Sequence, residues 1–141
     1  MTLTRIYRFA ASHRLHSPQL SPDENAELYG KCNNAYGHGH DYVLHISVTG
    51  PTDAETGKII GITALDRYVE DRVLRLYDHR DFNRDVPGFI GVPTTENVAR
   101  DTQRRLCAGW PFAPAALDRI LIEETGRNKV ELRQGEKRIE I

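Results

Sequence analysis

At 141 residues, with 39% hydrophobic and 28% charged side chains, the chain has the size and composition of one globular domain that buries a core without covalent staples. A formal net charge of −1 gives no general attraction to nucleic acid or to an anionic membrane, although arginine far outnumbers lysine. No apolar run approaches a membrane span, the first residues lack a signal-peptide core, and only Cys32 and Cys107 are present, so a reduced cytoplasmic setting is expected.

In chain order, residues 3–10 are rich in strand formers and predict a strand that ends at His13. Residues 17–25 hold prolines, serines and acids and read as a loop. From Asp41 onward Tyr42, Leu44, Ile46 and Val48 alternate with Val43, His45, Ser47 and Thr49, which predicts a strand with one strongly apolar face. A turn-rich segment from Gly50 to Gly57 leads to a short strand expected over residues 58–62, the two strands forming a hairpin with a long connection. The period then changes. Leu65, Tyr68, Val69, Val73 and Leu76 fall at helical spacing, predicting a helix over about residues 63–77 with Asp78-His79 at its end. After a loop over residues 80–93, Thr94-Thr95 can cap a second helix that runs to about Cys107 and is stopped by Pro111 and Pro114. Strand-like runs follow at residues 119–123, 129–133 and 138–141. Helices bunched between antiparallel strands predict an α+β domain with the helices on one face of the sheet.

The chemistry concentrates in three histidines. His38 and His40 flank Gly39 in the run Cys32-Asn33-Asn34-Ala35-Tyr36-Gly37-His38-Gly39-His40, and in extended backbone residues two apart point to the same side. His13, at the end of the first strand, can join them through sheet pairing. Three imidazoles with no fourth protein ligand suit a catalytic zinc with one open position, whereas Cys32 as a fourth ligand would close a structural site. His16 and His45 read as ordinary loop and strand residues. Asp78-His79 can serve Cys32, since an imidazole oriented by a carboxylate makes thiolate available. In Glu123-Glu124, a carboxylate facing a pocket can accept two hydrogen bonds from an amino-pyrimidine edge.

These residues occur in a familiar order. His13 in Phe9-Ala10-Ala11-Ser12-His13, Cys32-Asn33-Asn34 leading to Gly37-His38-Gly39-His40, Asp78-His79, Thr94-Thr95-Glu96-Asn97 and Glu124-Thr125 resemble the motifs of 6-pyruvoyl-tetrahydropterin synthases over nearly the whole chain. The resemblance implies a tunnelling fold, an antiparallel sheet backed by two helices, with three subunits closing a barrel and two barrels stacked as a homohexamer. It implies active sites at subunit interfaces. It also implies zinc on His13, His38 and His40, a general base in Cys32 tuned by Asp78 and His79, and a pterin anchor in Glu124 with Thr94, Thr95 and Glu96 lining the pocket. The implied reaction turns 7,8-dihydroneopterin triphosphate into 6-pyruvoyl-tetrahydropterin. The related 6-carboxytetrahydropterin synthases of the queuosine route share fold, metal and substrate, but usually have a shorter gap between the cysteine and the His-Gly-His run. A third branch carries glutamate where Cys32 stands. A zinc-stabilised pterin-binding module without activity is the alternative of another class. Gly61 departs from the polar residue that relatives commonly place before the helix.

Overall fold

The computed structural model describes residues 1–134, and its sheet is organised around two long strands, β1 (Thr2–His13) and β2 (His38–Thr49). They pair antiparallel without interruption from Thr2 opposite Thr49 to His13 opposite His38. Strand β4 (Ala116–Thr125) pairs antiparallel with the other edge of β2, and β5 (Asn128–Arg133) with β4. A two-residue strand, β3 (Arg80–Asp81), lies parallel to β1 beside Ala11 and Ser12. The order is β3-β1-β2-β4-β5, so the sheet is mostly, not wholly, antiparallel.

Alternation along these strands separates two faces. Phe9 and Ala11, then Tyr42, Leu44 and Ile46, then Ile120 and Ile122 are buried on one of them. Helical segments α2 (Ile62–Val69), a π turn (Glu70–Leu74) and α3 (Arg75–Tyr77) run on continuously and contribute Leu65, Val69, Val73 and Tyr77 to the same core. Helix α4 (Thr95–Cys107) adds Val98, Ala99 and Leu106. The opposite face carries Ile6, which is 49% exposed, with Arg8, His45, Arg119 and Glu123.

The predicted α+β layering is present, as are helices over residues 62–77 and 95–107, with departures elsewhere. Residues 17–25 are not all loop, because helix α1 (Pro22–Tyr29) begins inside them. Ser21 Oγ accepts from the Glu24 amide at 3.1 Å and the Glu24 carboxylate accepts from the Ser21 amide at 3.0 Å, a reciprocal cap that starts the helix at Pro22. That helix buries only Asn25, so it has no apolar period to betray it. No strand forms at residues 58–62, since β1 and β4 already occupy both edges of β2. The strand expected at residues 138–141 lies outside the described residues. At Gly61 the helix start has no side-chain cap, in keeping with its departure from the usual polar residue.

Candidate active site

The pairing of β1 with β2 places His13 opposite His38 and Ala11 opposite His40. All three imidazoles lie toward the helix-covered face, in phase with Ala11 and Tyr42, and their ring centroids are 4.5–5.5 Å apart. Nε2 of His13 and Nε2 of His40 are 3.1 Å apart, and Cys32 Sγ lies 3.1 Å from His38 Nε2. One donor atom from each of His13, Cys32, His38 and His40 falls within 4.8 Å of all the others.

This donor set fits zinc. Nitrogen ligands at about 2.0–2.1 Å in a tetrahedron are roughly 3.4 Å from one another, close to the spacing of the two Nε2 atoms. His13 is oriented from behind, its Nδ1 lying 3.0 Å from the Pro93 carbonyl and 3.3 Å from the Tyr42 hydroxyl. A carbonyl only accepts, so Nδ1 carries the hydrogen and Nε2 keeps its lone pair toward the other ligands. Burial pushes His13 and His40 below the ordinary imidazole range, which keeps both unprotonated near neutrality.

The loop that carries Cys32 is tied to the end of β1. The Leu15 amide donates to the Cys32 carbonyl at 2.7 Å, and Asn33 Nδ2 donates to the Leu15 carbonyl at 2.6 Å. Gly37, at φ 71°, lets the chain turn into β2 against β1, where a Cβ would sit 2.9 Å from the His13 carbonyl oxygen. Burial first, and the Glu124 charge second, push the Cys32 thiol up, so ionising it requires a positive neighbour.

Glu124 reaches the same point from β4. Its Oε1 lies 2.9 Å from His40 Nε2 and 3.4 Å from His13 Nε2, and its Oε2 accepts from the Thr95 hydroxyl at 2.6 Å. Both Thr95 and Glu124 are buried. Thr94 is the N-cap of α4, its hydroxyl accepting from the Asn97 amide at 3.2 Å, while Glu96 is exposed on the first turn.

Asp78 and His79 stand together just after α3, His79 Nε2 lying 3.7 Å from Asp78 Oδ2. Asp78 accepts from the Ala10 amide at 2.9 Å, and His79, in the left-handed region at φ 59°, projects into solvent with 83% of its side chain exposed. His79 lines an open cavity of about 450 Å³ together with Ala10, Ser12, Gly39, Asp41 and His40. Within one chain the Cys32 thiol bonds to His38, and no hydrogen bond joins it to His79 among the described residues.

The model of the 6-pyruvoyl tetrahydropterin synthase family matches residues 2–135. The chain belongs to that family. It is 41% identical to 6-pyruvoyl tetrahydrobiopterin synthase of Poecilia reticulata, over 91% of this chain and 86% of that one. Its 50% identity to the Drosophila melanogaster synthase spans 69% of this chain and 58% of the relative, less than two thirds of that protein. A Bacillus subtilis 6-carboxy-5,6,7,8-tetrahydropterin synthase is 32% identical over 67% of this chain and 62% of its own length. In three dimensions, 6-pyruvoyl tetrahydropterin synthase of Caenorhabditis elegans superposes with a TM-score of 0.87 at 37% identity, covering 94% of each chain. The fold is therefore the tunnelling fold of this family.

Two contributors to the site escaped sequence reasoning. Pro93 acts through a backbone carbonyl, which no residue type advertises. Tyr42 fits the apolar alternation of β2 so well that its hydroxyl carries no separate signal.

Proposed function

We propose that the chain is a zinc-dependent pterin synthase that converts 7,8-dihydroneopterin triphosphate to 6-pyruvoyl-tetrahydropterin with elimination of triphosphate, a lyase reaction. The observation that carries this reading is the convergence of His13, His38, His40 and Cys32 beside the Thr95–Glu124 pair. Zinc held by the three histidines would supply a Lewis acid for the hydroxyls of the substrate side chain, acidifying the adjacent C–H bonds.

The other roles belong to the chain's own groups. Glu124 accepts from the amino-pyrimidine edge of the pterin, with the Thr95 hydroxyl fixing the plane of its carboxylate; Thr94 and Glu96 line the entrance. Cys32 moves a proton at the side-chain carbon, its thiolate made available by the imidazole of His79 and the carboxylate of Asp78. His79 is largely exposed and makes no hydrogen bond to Cys32 among the described residues, which supports a relay that reaches Cys32 from a neighbouring subunit in a homohexamer of two stacked trimers. Among the described residues, short β3 and β5 are the edge strands of the sheet, which suits such closure. Two free cysteines suit a reducing, cytoplasmic setting.

The preference for the pyruvoyl product over the 6-carboxy product rests on the higher identity to the pyruvoyl synthases and on the long spacing from Cys32 to His38. A second reading, a non-catalytic module with a closed Cys-His₃ site, draws on the 3.1 Å approach of Cys32 to His38. Mass analysis of the products from zinc-loaded protein and 7,8-dihydroneopterin triphosphate decides among the three. A pyruvoyl-pterin with free triphosphate supports the proposal, a carboxy-pterin with acetaldehyde moves the chain to the queuosine branch, and unconsumed substrate favours the module.

A further inference from the structure

The segment from Gly91 to Thr95 touches both halves of the site. The Pro93 carbonyl receives His13 Nδ1 at 3.0 Å, and two residues later the Thr95 hydroxyl donates to Glu124 at 2.6 Å. Neither contact is fixed by the strand pairing that aligns the histidines, because this segment is the irregular entry to α4. What fixes it is Asn97. Its Nδ2 donates to the Val92 carbonyl at 2.8 Å, an acceptor shared with the Thr94 amide at 2.8 Å, and its own amide donates to the Thr94 hydroxyl at 3.2 Å. The far side of the Asn97 amide is also held, since Oδ1 accepts from Arg100 Nη1 at 3.2 Å. Gly91, at φ 88°, passes so close that a Cβ there would stand 3.2 Å from Asn97 Nδ2.

We infer that Asn97 is a positioning residue for the metal centre: by holding the Val92 carbonyl it sets the Pro93 carbonyl that orients His13. Among the described residues Asn97 hydrogen-bonds to none of the three histidines and not to Glu124. It acts through one peptide unit, and it selects the His13 tautomer whose Nε2 lone pair faces the other ligands. An asparagine is needed because the side chain must donate a hydrogen to the Val92 carbonyl. Aspartate keeps the size and the acceptor but has no hydrogen for Val92.

The inference rests on the zinc reading of the histidines, and the test separates the two. Zinc affinity is measured by competition with a chromophoric chelator for the wild-type protein, Asn97→Asp, Gly91→Ala and Arg100→Ala, and the His13 Nδ1–H resonance is followed by NMR in the metal-free forms. Asn97→Asp should lower zinc affinity about tenfold, the lower end of what losing an outer partner of a metal ligand costs. It should also shift or broaden the Nδ1–H signal. Gly91→Ala, which crowds the same amide from the loop, should act in the same direction, and Arg100→Ala, which leaves the donor intact, should stay within about twofold of wild type. Wild-type affinity in both Asn97→Asp and Gly91→Ala, or a loss of affinity with an unmoved Nδ1–H signal, overturns the inference. If the wild-type protein binds no zinc, the metal reading fails, while the Nδ1–H signal of Asn97→Asp still decides whether Asn97 orients His13.

Discussion

Cys32 and Thr95 show how much one side chain can decide at this site. Cys32→Ala removes the proton carrier and leaves three imidazoles, so zinc should remain bound while turnover drops roughly 10²–10⁴-fold, the usual weight of a general base. Zinc content by plasma emission beside steady-state rates checks this; full activity in the variant would remove Cys32 from the reaction, and lost metal would favour the closed Cys-His₃ site. Thr95→Val deletes the hydroxyl that donates to the buried Glu124 carboxylate. A hydrogen bond to a charged group contributes about 1.5–3 kcal/mol, so KM for the pterin substrate should rise roughly 10–100-fold. Unchanged KM would mean that Glu124 holds its place without Thr95. His13 resisted full reading from sequence because its orientation depends on a carbonyl 80 positions away.

At the level of elements, α1 and α2 fail and succeed as predictions for opposite reasons. Helix α2 was legible because Leu65 and Val69 repeat at helical spacing and are fully buried. Leu65→Ala should cost about 2–5 kcal/mol by opening a cavity under the sheet, read by urea denaturation. Helix α1 carries no such period, and its only signal was the Ser21-to-Glu24 cap, hidden among residues that also favour loops. Asp66 ties α2 to β1, accepting from Arg5 Nε at 2.9 Å, from Arg5 Nη2 at 2.8 Å and from the Tyr7 hydroxyl at 2.8 Å. The Arg5 guanidinium holds its carboxyl below the usual range. A carboxyl whose pKa is lower in the folded than in the unfolded state stabilises the fold above its unfolded pKa, and that stability fades as the pH falls through the folded one. Wild type should thus lose stability on acidification more steeply than Asp66→Asn, and parallel melting curves between neutral and acidic pH would refute the tie.

At the scale of the whole molecule, the clustered site and the exposed His79 call for a test of how subunits combine. The three clustered histidines, Cys32 and Glu124 converge on the helix-covered side, whereas His79 is largely exposed beside β3. If a neighbouring copy supplies His79, then Cys32→Ala and His79→Ala, each nearly inactive, should recover part of the wild-type rate when their subunits are mixed and reassembled. Sites pairing an intact Cys32 with an intact His79 form only in such mixtures. No recovery, in assemblies shown by mass to be mixed, would place the relay within a single chain.

The sequence by itself determined the periodic and the chemical: the strand at β2, the helices at α2 and α4, the three histidines that converge, and the family that their order resembles. Periodicity is a local property of burial, and ligand chemistry is a property of residue type, so neither needs the third dimension to be read. Only the tertiary structure decided that β3 runs parallel to β1, that residues 58–62 form no strand, that the Pro93 carbonyl reaches His13, and that His79 is exposed. Each of these depends on which edge is free or which carbonyl comes close, and that is set by distant parts of the chain packing together.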